Sequence, residues 1–327
     1  FHREEAFRIA VQLIEGDCTA IEAGAAYSDL AESCVAVMAD AALHEVERVQ
    51  GSQPGVFCVV GLGKFGGCEL SHDSDLDIML VYDAPADSAG AGEYYGRVAQ
   101  RLITALSAPT EEGLLYEVDT KLRPSGSKGP VAVRFTSFAR YYEEEAWTWE
   151  LQALTRLRIV GGDGVLGEKV LAQARTVIAR ERNSKAVLAD VADMRARMER
   201  ERAARSMWDL KLAPGGLVDI EFAAQALMLT NAARAPAVVD ANTGDALAAL
   251  AKAGAVSDAA AAELAEAWRL WSALQQIARV SLSGDTDLTT ATAPLKARVW
   301  RMVGVAGEAE FEAKIQHWQN VARARFQ

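Results

Sequence analysis

Three carboxylates and one glycine-rich turn carry the chemistry this sequence can do. Gly61-Leu-Gly-Lys-Phe-Gly-Gly67 is followed by Ser74-Asp-Leu-Asp77 and then by the apolar run 78–82. Strand side chains alternate, so Asp75 and Asp77 share one face while Leu76 and Ile78 take the other. Two carboxylates at that spacing make a hard-oxygen claw suited to Mg²⁺, where an isolated pair would merely mark a solvated edge. Gly63, Gly66 and Gly67 leave room for backbone N–H groups to approach a phosphate. Asp119 is the third carboxylate, in the later run 114–122 with Glu117 and Lys121 on its face and Arg123 just beyond. An Asp-x-Asp pair with a lone Asp on a second strand is the layout of a two-metal nucleotidyl transfer site. There, two ions roughly 3.5–4 Å apart share a carboxylate and bridge the attacking and leaving oxygens. Asp75 and Asp77 would hold both ions; Asp119 would hold one and orient or deprotonate the attacking hydroxyl. Such chemistry asks for positioning and charge neutralisation, so it needs no His or Ser nucleophile. Lys64, Lys121 and Arg123 are the expected phosphate contacts, against a reading as surface charges, and Ser74 is a triphosphate ligand or a plain loop residue.

A rival reading fails on length. Gly61, Gly63 and Gly66 fit G-x-G-x-x-G after a strand, and Asp83 closes the next strand at about the distance a dinucleotide fold needs. That fold joins parallel strands by a crossover of about ten to twelve residues or more, usually helical. The segment 67–74 is short and largely polar, so no crossover helix fits.

Those residues must be positioned by the rest of the chain. Its 327 residues, 50 % apolar, have room for two domains. Alanine is abundant and aromatics are sparse, which favours helices. The net charge of −11 and the lack of a basic tail exclude nucleic acid as a main partner. Cys18, Cys34, Cys58 and Cys68 show no C-x-x-C spacing, so we expect reduced thiols in a cytoplasmic protein. Scattered histidines give no support to zinc. No apolar run reaches the roughly 18 residues of a membrane span, and no signal peptide is visible, so no membrane partner is expected. Phe1 in place of methionine leads us to expect a piece of a longer polypeptide.

The expected elements are amphipathic helices over 3–14 and 27–49, a linker at Gly51-Ser-Gln-Pro-Gly55, the glycine turn with its metal strand, and a helix over 93–106. A strand follows over 114–122, then helices over 135–142 and 146–159. Arg156 and Arg158, two apart on that last helix, would lie on different faces, so at most one reaches the site. Trp147 and Trp149 are read as packing in preference to adenine stacking. From 165 onward the pattern is helical, over 165–182, 184–205, 218–233, 243–253, 257–283, 291–302 and 308–326. Ser257 and Thr243 are expected N-caps, and Ser-Gly-Asp at 283–285 a separator. Lys211 and Asp219 flank a Pro-Gly-Gly helix start, read as capping geometry, with substrate positioning as the functional alternative. We therefore expect an α+β fold with domains at 1–50 (helical lead-in), 51–162 (catalytic) and 163–327 (helical bundle).

The combination Gly63-Lys-Phe-Gly-Gly67, Glu69-Leu70, Ser74-Asp-Leu-Asp77, Tyr116-Glu-Val-Asp119, Leu122-Arg-Pro-Ser-Gly126, Glu145-Ala-Trp-Thr-Trp-Glu150 and Gly215-Gly-Leu-Val-Asp-Ile-Glu-Phe222 resembles the glutamine-synthetase adenylyltransferases. These bifunctional bacterial enzymes carry two nucleotidyltransferase domains of the DNA polymerase β type. The resemblance covers 61–222 and implies a mixed sheet, ATP as substrate and two Mg²⁺ ions. It also implies a tyrosine of glutamine synthetase as acceptor, a PII-type signalling protein and glutamine as effectors, and a second nucleotidyltransferase domain elsewhere in the chain. One half of the family attaches AMP and the other removes it by phosphorolysis. The Trp-rich block and the Leu-Asp-Ile version of the metal strand look like the attaching, C-terminal half. The removing half stays open, since it shares the metal triad. So do a small-molecule nucleotidyltransferase, which lacks the Trp-rich block, and an idle partner-binding module, against which the intact triad argues.

Overall fold

A computed structural model describes residues 1–111, 113–204, 206–282 and 287–327. The described chain divides into two compact units, Phe1–Phe7 with Ala25–Arg180 and Arg8–Gly24 with Glu181–Gln327. In order, the elements down to the division are α1 (His2–Glu15), α2 (Ala20–Gln50), β1 (Val56–Gly61), α3 (Gly63–Gly66), β2 (Leu76–Asp83), α4 (Ala91–Ser107) and β3 (Val118–Asp119). Then come β4 (Ala132–Arg134), α5 (Phe135–Glu144), α6 (Thr148–Leu154), β5 (Arg158–Gly162) and α7 (Gly164–Ile178). The fold is α+β with a mixed sheet of order β3-β2-β1-β5, and β4 also pairs β2. β1 pairs antiparallel with β2, Gly61 opposite Ile78, which removes the parallel crossover a dinucleotide fold requires. β3 and β4 both run parallel to β2 along one edge, β3 at Leu76–Asp77 and β4 at Leu80–Tyr82.

The expected strand over 114–122 shrinks to Val118–Asp119. Pro124 has no N–H to give a ladder, and Ser125 and Gly126 take left-handed φ of 61° and 55°, so the chain turns off the sheet. The expected helix over 146–159 breaks after Leu154, and β5 follows. Arg158-Ile-Val-Gly-Gly162 finds its partner in β1, with a register shift at Val59/Val60. Gly161 lies against Ala36 of α2, 3.4 Å from where a Cβ would sit, so helix and sheet approach closely there. Cys58, Val59 and Val60 are fully buried, since β1 is covered on both faces. α2 starts at Ala20, earlier than expected, because Thr19 and Glu22 form a capping box. The Glu22 N donates to Thr19 Oγ1 at 3.2 Å, and the Thr19 N donates to Glu22 Oε2 at 2.8 Å. Burial pushes the Cys58 thiol up to about 12, so it is inert, and the four cysteines are free thiols.

The second unit is helical beyond the division: α8 (Ser184–Glu201), α9 (Leu217–Asn231), α10 (Thr243–Lys252), α11 (Asp258–Ser281), α12 (Ala293–Val303) and α13 (Glu308–Phe326). Ser257 caps α11, accepting from the Ala260 N at 3.2 Å. For α10 the cap is Asn242, not Thr243; its side chain accepts from the Gly244 and Asp245 N–H groups. The expected helix ends at Arg205 and Ser283, and the Ser283–Asp285 separator, lie outside the described residues. Asp219 is no cap. It is fully buried, pairs with the Arg195 Nε, accepts from the Gly215 N at 2.7 Å and meets Arg323 at 3.0 Å; Lys211 is exposed. Removing Asp219 takes the nearer of two counter-ions from a guanidinium that is 1 % exposed, leaving Glu199 at 3.3 Å. Asp219→Ala is therefore expected to lower stability by about 3–5 kcal/mol. Denaturant unfolding checks this, and a loss under about 1 kcal/mol would contradict it. Among the described residues no helix is long and apolar enough to cross a membrane.

Candidate active site

β1 delivers the chain into the glycine turn at Gly61, and Leu62 is tied back to β2 where its N donates to the Asp77 carbonyl at 2.9 Å. Gly63 then adopts a φ of +53°, and a Cβ there would sit 2.2 Å from Asp77 Oδ2. Only glycine lets the turn rest directly on that carboxylate. Gly66 is closed off in the same way, since a Cβ would lie 1.8 Å from the Arg156 carbonyl oxygen. Gly67 caps the one-turn α3, donating to the Gly63 carbonyl at 3.2 Å, and Lys64 lies within it, half-buried.

Asp77 is the second residue of β2 and stands opposite Asp119 of β3 in register. The structure thus brings together two carboxylates from different strands beside the glycine turn. Asp75 immediately precedes β2 and is exposed. Lys121 lies past the end of β3, in the turn, yet still reaches Asp119. Its Nζ is 2.6 Å from Oδ2, and its backbone N donates to Oδ1 at 2.7 Å. Burial alone would push the Asp119 carboxyl up; the bonds from Lys121 outweigh it and hold the group below its ordinary value. The Lys121 ammonium is raised, first by its bond to Asp119 and further by the charges of Asp75 and Asp77. Lys121 supplies positive charge at Asp119, and carboxylate oxygens such as those of Asp77 and Asp119 are donors of the kind a hard divalent ion takes. Among the described residues no three His, Cys, Asp or Glu side chains close to metal-holding distance.

Two expected phosphate contacts are engaged elsewhere. Arg123 is 6 % exposed and donates to the carbonyls of Thr120 (2.6 Å), Gly129 (3.1 Å) and Pro130 (3.1 Å). Its guanidinium thereby ties together the loop between β3 and β4. The Ser74 Oγ accepts from the Ser71 N at 3.0 Å, shaping the approach to Asp75. The tryptophans also correct the reading from sequence: Trp147, 71 % exposed, is no packing residue, and Trp149, 36 % exposed, is only partly packed. Glu150 holds this block, accepting from the Trp147 N at 2.9 Å and from the Tyr141 hydroxyl at 2.6 Å.

Sequence reasoning missed Arg156 and Arg158 as a pair. Neither is helical, and both reach the glycine turn. The Arg156 Nε donates to the Gly63 carbonyl at 2.8 Å, and the Arg158 Nη2 donates to the Phe65 carbonyl at 3.1 Å. The signal was present in the alternation Arg156-Leu-Arg158-Ile, which is a strand period.

A family model described as glutamate-ammonia ligase adenylyltransferase matches residues 1–173, and one described as GlnD PII-uridylyltransferase matches residues 186–325. The chain is 45 % identical to the bifunctional glutamine synthetase adenylyltransferase/adenylyl-removing enzyme of Caulobacter vibrioides, over 99 % of this chain and 34 % of that protein. It is 42 % identical to the protein of the same name from Rhizobium meliloti, over 99 % of this chain and 34 % of that one. For the Bradyrhizobium diazoefficiens protein of that name the identity is 36 %, over 100 % and 34 %. The chain spans about a third of the length of the curated relatives it matches.

Proposed function

Since the chain belongs to the glutamate-ammonia ligase adenylyltransferase family, we propose that it moves AMP from ATP to a tyrosine hydroxyl of glutamine synthetase and releases pyrophosphate. The observation that carries this reading is the register of Asp77 against Asp119 beside a glycine turn that rests on Asp77. We assign the catalytic part to a DNA polymerase β-type nucleotidyltransferase domain at 51–162, with 1–50 leading in and 163–327 as a helical docking part.

In this reading Asp75 and Asp77 would hold two Mg²⁺ ions and Asp119 one of them; when bound, the ions neutralise the triphosphate and favour the ionised hydroxyl. The Gly63–Gly67 turn and Lys64 receive the phosphates. Lys121 leaves Asp119 to pair with the triphosphate, and Ser74 lines its approach. Arg123 serves by shaping the loop. Asp119 orients the tyrosine hydroxyl and draws off its proton. The hydroxyl oxygen bonds to the α-phosphorus as the bond to the bridging oxygen breaks and pyrophosphate departs. The exposed Trp147 and Trp149 suit a protein acceptor better than a hydrated anion, which asks for more positive charge. The match of 186–325 to a PII-uridylyltransferase model supports placing responses to a PII-type protein and glutamine in the helical part.

The test runs both reactions on one preparation. Labelled ATP with unmodified glutamine synthetase should give AMP-synthetase and pyrophosphate, while AMP-synthetase with phosphate should give little ADP. The opposite pattern assigns the chain to the removing half.

A further inference from the structure

The glycine turn is held from a distant part of the chain. Arg156 follows α6, and its side chain and that of Glu69 are 5 % and 10 % exposed. The Arg156 Nε donates to the carbonyl of Gly63, where the turn opens, at 2.8 Å, and Nη2 lies 2.8 Å from the carboxylate of Glu69, just past the turn's end. One guanidinium thus spans the turn from end to end, while its own backbone carbonyl closes on Gly66. Arg158 adds a hold in the middle: it donates to the Phe65 carbonyl, stacks 5.3 Å above the Phe65 ring and pairs with Glu32 of α2.

Burying a charge pair carries a desolvation cost that an apolar pair of the same volume avoids. Cohesion alone is thus a poor reason for Arg156 and Glu69. An apolar pair cannot fix the Gly63 carbonyl, and Gly63 rests on the Asp77 carboxylate. Any displacement of Gly63 is passed to Asp77, and sites of this kind tolerate only about 0.5 Å of error.

We infer that Arg156, with Glu69 as its counter-ion, is a positioning residue that sets the glycine turn and Asp77 for the triphosphate. This rests on the transfer reaction proposed above, and Arg156 acts through Gly63 without touching substrate.

Arg156→Lys keeps a positive charge for Glu69 but loses the second arm that reaches Gly63. Glu69→Gln keeps the shape and removes the counter-charge. For both, in the chain as it stands, the Kd for ATP, KM and kcat, thermal melting and amide exchange at residues 63–68 are measured. In Arg156→Lys the Kd and KM for ATP should rise about tenfold, and kcat should fall about tenfold with them, because Asp77 moves with Gly63. Exchange should quicken in the turn, the rest of the sheet staying protected. Glu69→Gln should move the same way by about threefold, and it carries the test if Arg156→Lys does not fold. Unchanged ATP affinity and exchange in the variants would overturn the inference. So would loss of protection across the whole sheet, which would mark a purely structural pair. A wild-type chain that binds no ATP would instead remove the transfer reading itself.

Discussion

Asp77→Asn should lose adenylyl transfer by roughly a thousandfold, about 4 kcal/mol of barrier, while the chain still folds. The substitution conserves volume, so Gly63 keeps its seat; only the charged oxygen is lost. Asp75→Asn should behave alike, since both carboxylates are assigned to the same ions. The measurement is initial-rate labelling at saturating Mg²⁺ and ATP, with a thermal melt on the same sample. Turnover within tenfold of wild type in either variant removes the two-metal scheme.

The companion result separates binding from chemistry. Asp119→Asn should bind Mg-ATP within about twofold of wild type and yet fall roughly a thousandfold in transfer. Asp75 and Asp77 still receive the nucleotide, whereas the group that orients the attacking hydroxyl is gone. Lys121 also loses the partner 2.6 Å from its ammonium, which leaves it available to phosphate and so does not weaken binding. Equilibrium ATP binding and single-turnover transfer, measured together, check this. A collapse of ATP affinity would make Asp119 a nucleotide ligand.

The glycine turn and the strand that carries Asp77 were legible because each is announced locally. Gly63 precedes a polar loop, Asp77 heads an apolar run, and both signals lie within a few residues. α13, at Glu308–Phe326, was legible to the residue, for similar reasons of unbroken helical pattern. What the sequence hid is tertiary. Residues 157–160 carry as much helical as strand character, and only the free edge of β1 decides between them. With β5 read as helix, Arg156 and Arg158 were placed on opposite faces, and their shared hold on the turn was invisible. Arg123 misled for the opposite reason: a conspicuous cation after a site carboxylate reads as a phosphate ligand, but the carbonyls of its own loop claim it first. The exposed Trp147 shows the limit of residue type as a guide, since large aromatics are usually buried.

The brace from Arg156 to Gly63 joins residues 93 positions apart. Contacts of such separation form late, because the intervening chain must first be brought together. On the ribosome, β1, the turn and β2 emerge together and can pair as a neighbouring antiparallel unit well before β5 exists. At that stage the carbonyls of Gly63 and Phe65 have no arginine to receive. A nascent chain therefore displays Asp75 and Asp77 before its glycine turn is fixed, and the turn is set only when the last strand adds to the edge of the first.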